Sequence, residues 1–183
     1  MKIRRAIPDD ANALAKVLID SWRLAYRGLV PDAYLEGLDY GVRCGRFREA
    51  LAAGAEETYV VEEADELLGF LTLGVSRDSD VDQATTGEIW GIYLAPQHWR
   101  KGVGRRLCQN AEQMLASRHF KQAILWVFEG NDSARRFYEA MGFKVDGASK
   151  TLNPGAPLKA IRYRKQLPLA EPNGAANAAP PHR

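Results

Sequence analysis

The residues best equipped for chemistry gather in a basic glycine loop, Arg100-Lys101-Gly102-Val103-Gly104-Arg105-Arg106. An apolar, aromatic stretch, Trp90-Gly91-Ile92-Tyr93-Leu94, and a proline, Pro96, lead into it, and an apolar-periodic stretch leads out. A strand feeding such a loop aims the free N–H groups of the next helix outward. Those donors, with the positive end of the helix dipole, make an anion site, and phosphate is the expected anion. Two glycines let the backbone approach a phosphate closely, which packing alone does not require. Arg100, Lys101 and Arg105 are either phosphate ligands or a solvated basic face.

Two common phosphate designs fail on specific residues. A P-loop needs a Lys-Ser/Thr pair after its last glycine, and none is present. A dinucleotide fingerprint needs a third glycine, where Leu107 stands. The Asp78, Asp80 and Asp82 series lacks the glycine and glutamate of a calcium loop, since Gln83 and Ile89 occupy those positions, and no metal site is expected. Cys44 and Cys108 are isolated, without metal-ligand spacing, so two reduced thiols and a cytoplasmic protein are expected. A net charge of +2 supplies no global field toward nucleic acid or membrane. No apolar run approaches the roughly 20 residues of a bilayer span.

The elements that must position these residues follow from periodicity. A short strand over residues 3–7 ends at Pro8-Asp9-Asp10. Leu14, Leu18, Trp22 and Ala25 then recur at helical spacing, up to a break with Gly28 as its cap. A second helical region, residues 32–53, is expected in two pieces split near Asp39-Tyr40-Gly41. A hairpin over residues 58–73 turns at Ala64-Asp65-Glu66, and residues 76–86 read as an acidic mobile loop. Val103, Leu107, Ala111, Met114 and Leu115 stripe one helix. The unbroken apolar run 123–128 reads as a strand buried on both faces. Asn131 caps a helix ended by Gly142, and two strands, 143–150 and 158–166, close a mixed α/β domain over residues 1–167. Residues 168–183, with almost nothing to bury, are expected to be a disordered tail.

Two blocks carry a resemblance. Trp99-Arg100-Lys101-Gly102-Val103-Gly104 is similar to the Arg/Gln-x-x-Gly-x-Gly/Ala loop of the GCN5-related N-acetyltransferase (GNAT) superfamily, with Trp at the first position. Asn131 to Phe143 resembles the family's Asn-x-x-Ala-x-x-Phe-Tyr-x-x-x-Gly-Phe signature. The resemblance implies a GNAT fold: a central mixed, mostly antiparallel sheet of about seven strands, splayed between strands 4 and 5 and flanked by helices. It implies acetyl-CoA as acyl donor, its pyrophosphate on the backbone of residues 102–106, including Gly102, Val103 and Gly104. Its pantetheine arm would pair with the backbone of Ile92, Tyr93 and Leu94 like a substitute strand. Asn131 would bond the cofactor, cap its helix, or do both.

By the same resemblance Tyr138 would protonate the departing thiolate, against the alternative of a buried core tyrosine. Glu88 would take the amine's proton, against that of an exposed glutamate at a strand start, and His98 reads as a surface residue. Trp22, Tyr26 and Tyr34 belong to the helices that cover the acceptor. Arg23 and Arg27 would suit an acceptor carboxylate, and Asp32, Glu36 and Asp39 a polyamine. The implied activity is direct acetyl transfer to a primary amine of a small molecule or peptide, with neither nucleic acid nor membrane as partner. A homodimer is a family-level expectation. Cys108 reads as packing rather than as a nucleophile. The rival readings are a GNAT-fold enzyme using another acyl group or a hydroxyl acceptor, and a non-catalytic CoA-binding sensor.

Overall fold

Seven strands make one sheet in a computed structural model that describes residues 1–54 and 57–168. They are β1 (Lys2–Arg5), β2 (Glu57–Glu63), β3 (Glu66–Val75), β4 (Thr86–Leu94), β5 (Gln122–Phe128), β6 (Lys144–Leu152) and β7 (Leu158–Gln166), in the order β1-β2-β3-β4-β5-β7-β6. Every neighbouring pair is antiparallel except β4 and β5. The helices are α1 (Ala11–Ala25), α2 (Asp32–Glu36), α3 (Tyr40–Ala53), α4 (Val103–Ser117) and α5 (Asp132–Ala140). Apart from Pro168, the tail expected from the sequence lies outside the described residues.

Alternation along the strands builds two cores. On one face Leu71, Leu73 and Ile89 pack with Leu107, Ala111 and Leu115 of α4 and with Tyr138 and Met141 of the α5 region. On the other, Val60 and Phe70 pack with Leu14, Val17 and Leu18 of α1, with Phe47 and Leu51 of α3 against them. The β2–β3 turn holds Ala64 at φ 49° and Asp65 at φ 64°, the two left-handed residues that match a two-residue hairpin to the strand twist.

The pairing of β4 with β5 is short. Thr86, Gly87 and Glu88 oppose Gln122, Ala123 and Ile124, and beyond that rung residues 89–94 and 125–128 have no partner in each other. β3 follows β4 to its end, but Thr72 opposes Gly91 and Leu73 opposes Ile89, so Trp90 is an extra, bulged residue. A bulge bends its strand and raises its twist. Here it sits where β4 leaves β5. Gly69 lets β3 hold the parted arm closely, since a Cβ there would stand 2.5 Å from the Tyr93 carbonyl oxygen and 2.4 Å from the Leu94 side chain.

Two expectations change. The run 123–128 is not buried throughout, because Trp126 faces a cleft. The acidic loop is pinned: Asp78 accepts from Trp126 Nε1 and from Arg162, and Asp80 holds Arg162 with both oxygens. Arg162 is almost fully buried on β7, where an unpaired guanidinium would be costly, so it draws in the loop's carboxylates.

Gly69→Ala should cost about 1–3 kcal/mol through overpacking against the β4 backbone, measured by urea unfolding.

Candidate active site

Where β4 and β5 part, they wall a cleft of about 890 Å³. The Ala95 N–H bonds to the Leu68 carbonyl of β3, and Tyr93 opposes Phe70. Antiparallel alternation therefore turns the main chain of Tyr93 toward β3 and that of Ile92 and Leu94 toward the cleft. Of the three residues expected to offer backbone groups to a ligand, Tyr93 offers a side chain instead. Its ring packs on Phe70 and lies back over Gly91, which has no room for a Cβ.

The basic loop joins this cleft at the start of α4. Arg100 (φ 59°) and Gly102 (φ 83°) are both left-handed, and Gly102 caps the helix without a side-chain bond. The Arg106 N–H already bonds to the Gly102 carbonyl. The free donors are thus the amides of residues 102–105, which have no acceptor among the described residues. Arg100, Gly102, Gly104 and Arg105 line the cleft, whereas Lys101 lies outside its lining and Val103 is buried in the core. A Cβ on Gly104 would sit 3.3 Å from Leu94 and 3.6 Å from Phe137, so this position stays small. Trp99, the departure from the motif, donates its indole N–H to the Leu94 carbonyl at 2.9 Å and ties the loop to the end of β4.

A second helix start faces the same space. Asn131 lines the cleft while its side chain accepts the Ala134 N–H at 3.1 Å as the cap of α5. About two turns later Tyr138 lines the cleft too. Burial, then the neighbouring Cys108, Tyr26 and Tyr93, holds its phenol well above the usual range, so it keeps its proton. Sequence reasoning did not single out Trp90, Trp126, Arg136 and Phe137, which also line the cleft. Arg136 and Phe137 lay inside a quoted motif, but their direction depends on how α5 docks.

The aromatic group from α1 and α2 stands beside the cleft. The rings of Trp22 and Tyr26 meet edge-on at 4.7 Å, Tyr26 meets Phe128 at 5.3 Å, and Tyr34 lies 6.4 Å from Trp22. Only Tyr26 of the three expected acceptor residues belongs to the lining. Arg23 is not available to an acceptor, because it donates to the Leu35, Glu36 and Leu38 carbonyls at the end of α2. Asp39 is also occupied, as the cap of α3.

Glu88 is not an exposed strand-start residue: its side chain is 1% accessible and lies outside the cleft lining. One oxygen accepts the Arg77 N–H at 2.9 Å, and the other accepts Arg77 Nη2 at 2.6 Å. Tyr138 belongs to that lining and Glu88 does not. His98 bonds to Glu66 at 3.0 Å, away from the cleft. Among the described residues no cluster of three or more His, Cys, Asp or Glu could hold a metal ion, and no helix is long and apolar enough to cross a membrane.

The arrangement offers free backbone donors and acceptors along a parted strand, two helix N-termini and a protonated phenol. That combination suits a long ligand with an anionic middle and a reactive end. A model of the acetyltransferase (GNAT) family matches residues 19–143. The chain is 30% identical over 138 residues to Uncharacterized N-acetyltransferase YuaI of Bacillus subtilis (strain 168), covering 75% of this chain and 77% of that one. It is 27% identical over 157 residues to spermidine N(1)-acetyltransferase of Thermoplasma acidophilum, covering 80% and 89%. The crystal structure of PaiA N-acetyltransferase from Thermoplasma acidophilum, in complex with coenzyme A, superposes with a TM-score of 0.73 at 21% identity, over 90% of this chain and 98% of that one.

Cys108 is fully buried in α4, and burial, then Glu112, pushes its thiol up to about 12. Iodoacetamide at pH 8 should therefore label Cys44 alone in the folded protein and both cysteines after denaturation, as read by mass spectrometry.

Proposed function

The chain belongs to the acetyltransferase (GNAT) family, and on that premise we propose that it transfers an acetyl group from acetyl-CoA to a primary amine of a small molecule or peptide. The observation that carries this reading is the parting of β4 from β5 directly in front of the α4 N-terminus. A pantetheine arm needs main-chain partners along an extended path, and Ile92 presents its N–H and carbonyl and Leu94 its N–H, the Leu94 carbonyl being held by Trp99. A pyrophosphate needs converging N–H donors, and residues 102–105 present four. The coenzyme A in the PaiA relative's structure supports the same use here.

Acetyl-CoA supplies an activated thioester, and the protein's part is to hold it, polarise it and receive the leaving group. Holding both reactants in one cleft provides proximity and orientation. The Ile92 amide, turned into the cleft, is the donor for negative charge growing on the thioester oxygen. The amine lone pair attacks the carbonyl carbon, a C–N bond forms and the C–S bond breaks. Tyr138, protonated and lining the cleft, gives its proton to the thiolate. Water at the mouth takes the amine's proton, because both oxygens of Glu88 are held by Arg77. Cys108, buried and protonated, takes no part, and the transfer runs in a ternary complex without an acetyl-enzyme. One relative is a spermidine N(1)-acetyltransferase. A polyamine therefore belongs in the acceptor panel beside amino acids and peptides.

The test is free-thiol release from acetyl-CoA with that panel. Tyr138→Phe should lower kcat about 10²-fold, the lower end of general-acid contributions, with acetyl-CoA affinity by calorimetry nearly unchanged. An unaltered kcat removes Tyr138 as the acid. Gly104→Glu should abolish acetyl-CoA binding by filling the space before Leu94 and Phe137 and by placing negative charge at the phosphate site. Retained affinity would overturn the loop assignment.

A further inference from the structure

The last paired rung of β4 and β5 is Glu88 opposite Ile124. Two residues further on, Trp90 and Trp126 stand at the same level of the parting strands, and both line the cleft. Each indole carries a cation. The Arg77 guanidinium lies 4.5 Å from the Trp90 ring centre, and the Lys150 ammonium lies 3.8 Å from that of Trp126. Two tryptophans of the lining are therefore each backed by a cation that itself stands outside the lining.

Formal charges there nearly balance, so what matters is which sign keeps bonding capacity unspent. Most of the carboxylate oxygens are already bonded, Asp78 Oδ1 excepted, which among the described residues has only Lys150 at 3.7 Å. Both oxygens of Glu88 are on Arg77. Asp78 takes Trp126 Nε1 and Arg162, and Asp146 takes Arg162 and Arg164. Asp80, although more than half exposed, has both oxygens on Arg162. The donors keep more capacity free. Arg77 Nη1 has no acceptor among the described residues, and its side chain is 58% exposed. Among the described residues the one carboxylate Lys150 reaches is that of Asp78, at 3.7 Å. The Trp90 indole N–H is buried without a partner.

Resting on the acyl-transfer reading above, we infer that the acceptor is a small amine carrying a carboxylate a few bonds from its nitrogen, an amino acid or close derivative, and that Arg77 selects it. Arg77 takes the carboxylate at the rim, and the amine passes between Trp90 and Trp126 toward the thioester. Guanidinium suits this task because it meets a carboxylate with a planar fork of donors while its face stays stacked on an indole. Glu88 is a positioning residue: its buried carboxylate fixes Arg77 over Trp90 and leaves the outer edge of the fork free. This gives a reason for burying an acid that stays outside the cleft. A polyamine would bring a second cation to a rim where Arg77 and Lys150 already stand.

The experiment compares kcat/KM, by thiol release from acetyl-CoA, for free amino acids, their matched amides and a polyamine. The wild-type chain should prefer the best amino acid to its amide at least tenfold. Arg77→Ala should reduce that preference about 10- to 100-fold, mainly through KM, as expected for a lost charge-assisted hydrogen bond, with Arg77→Lys restoring part of it. Glu88→Gln should erode the same preference without moving the pH–rate profile; a moved profile would make Glu88 a base instead. Equal loss on acid and amide in Arg77→Ala, or a wild-type preference for amide or polyamine, overturns the inference. Bound acetyl-CoA with no thiol release from any amine would instead remove the acyl-transfer reading, and this inference with it.

Discussion

The rest of the structure depends on two parallel strands that pair for three rungs and then separate. Separation leaves main-chain N–H and C=O groups without strand partners in the middle of a sheet, and such groups are costly unless something else satisfies them. The fold tolerates this because each strand is paired on its other side, β4 with β3 apart from the bulge at Trp90 and β5 with β7 throughout. The bulge at Trp90 starts the divergence, and the indoles of Trp90 and Trp126 line the opening. A closed sheet would have only a surface here. The open one has a slot with unspent hydrogen-bonding capacity on one wall.

That slot presents hydrogen-bond donors at both ends and in its middle. At one end the amides of residues 102–105 and the dipole of α4 favour negative charge, with Arg100 and Arg105 beside them. In the middle, burial keeps Tyr138 neutral and able to donate. At the other end the carboxylates are turned onto Arg77, Arg162 and Trp126, so donors face the mouth. One feature type recurs along this path: a donor held in place by a partner on its far side. Asn131 bonds the α5 backbone, Trp99 fixes the loop to Leu94, and Glu88 fixes Arg77.

Much of this was legible in the residues, for local reasons. The glycine loop, the α4 stripe and the Asn131 cap are written within one or two helical turns, so spacing alone exposes them. The Trp22–Tyr26 pair is likewise one turn apart and does share a face. What stayed hidden depends on partners far along the chain. A bulge exists only relative to β3, so nothing near Trp90 announces it. Trp126 reads as core because its run is apolar throughout, and only the parting of β4 uncovers it. Arg162 meets Asp78 across 84 residues, which turned a loop expected to be mobile into a fixed wall. Arg23 looked free for a substrate because its real partners are carbonyls, which sequence does not display. Tyr93 sat in the correct strand, but its main chain faces the wrong neighbour by one step of the period-two alternation.

The central claim is that these free main-chain groups receive acetyl-CoA, and amide hydrogen exchange measures it residue by residue. Saturating acetyl-CoA should slow exchange at Ile92, Leu94 and residues 102–105. The Arg106 amide, already bonded to the Gly102 carbonyl, should change little and serves as the internal control. Binding that leaves Ile92, Leu94 and residues 102–105 exchanging at their free rates would contradict the account.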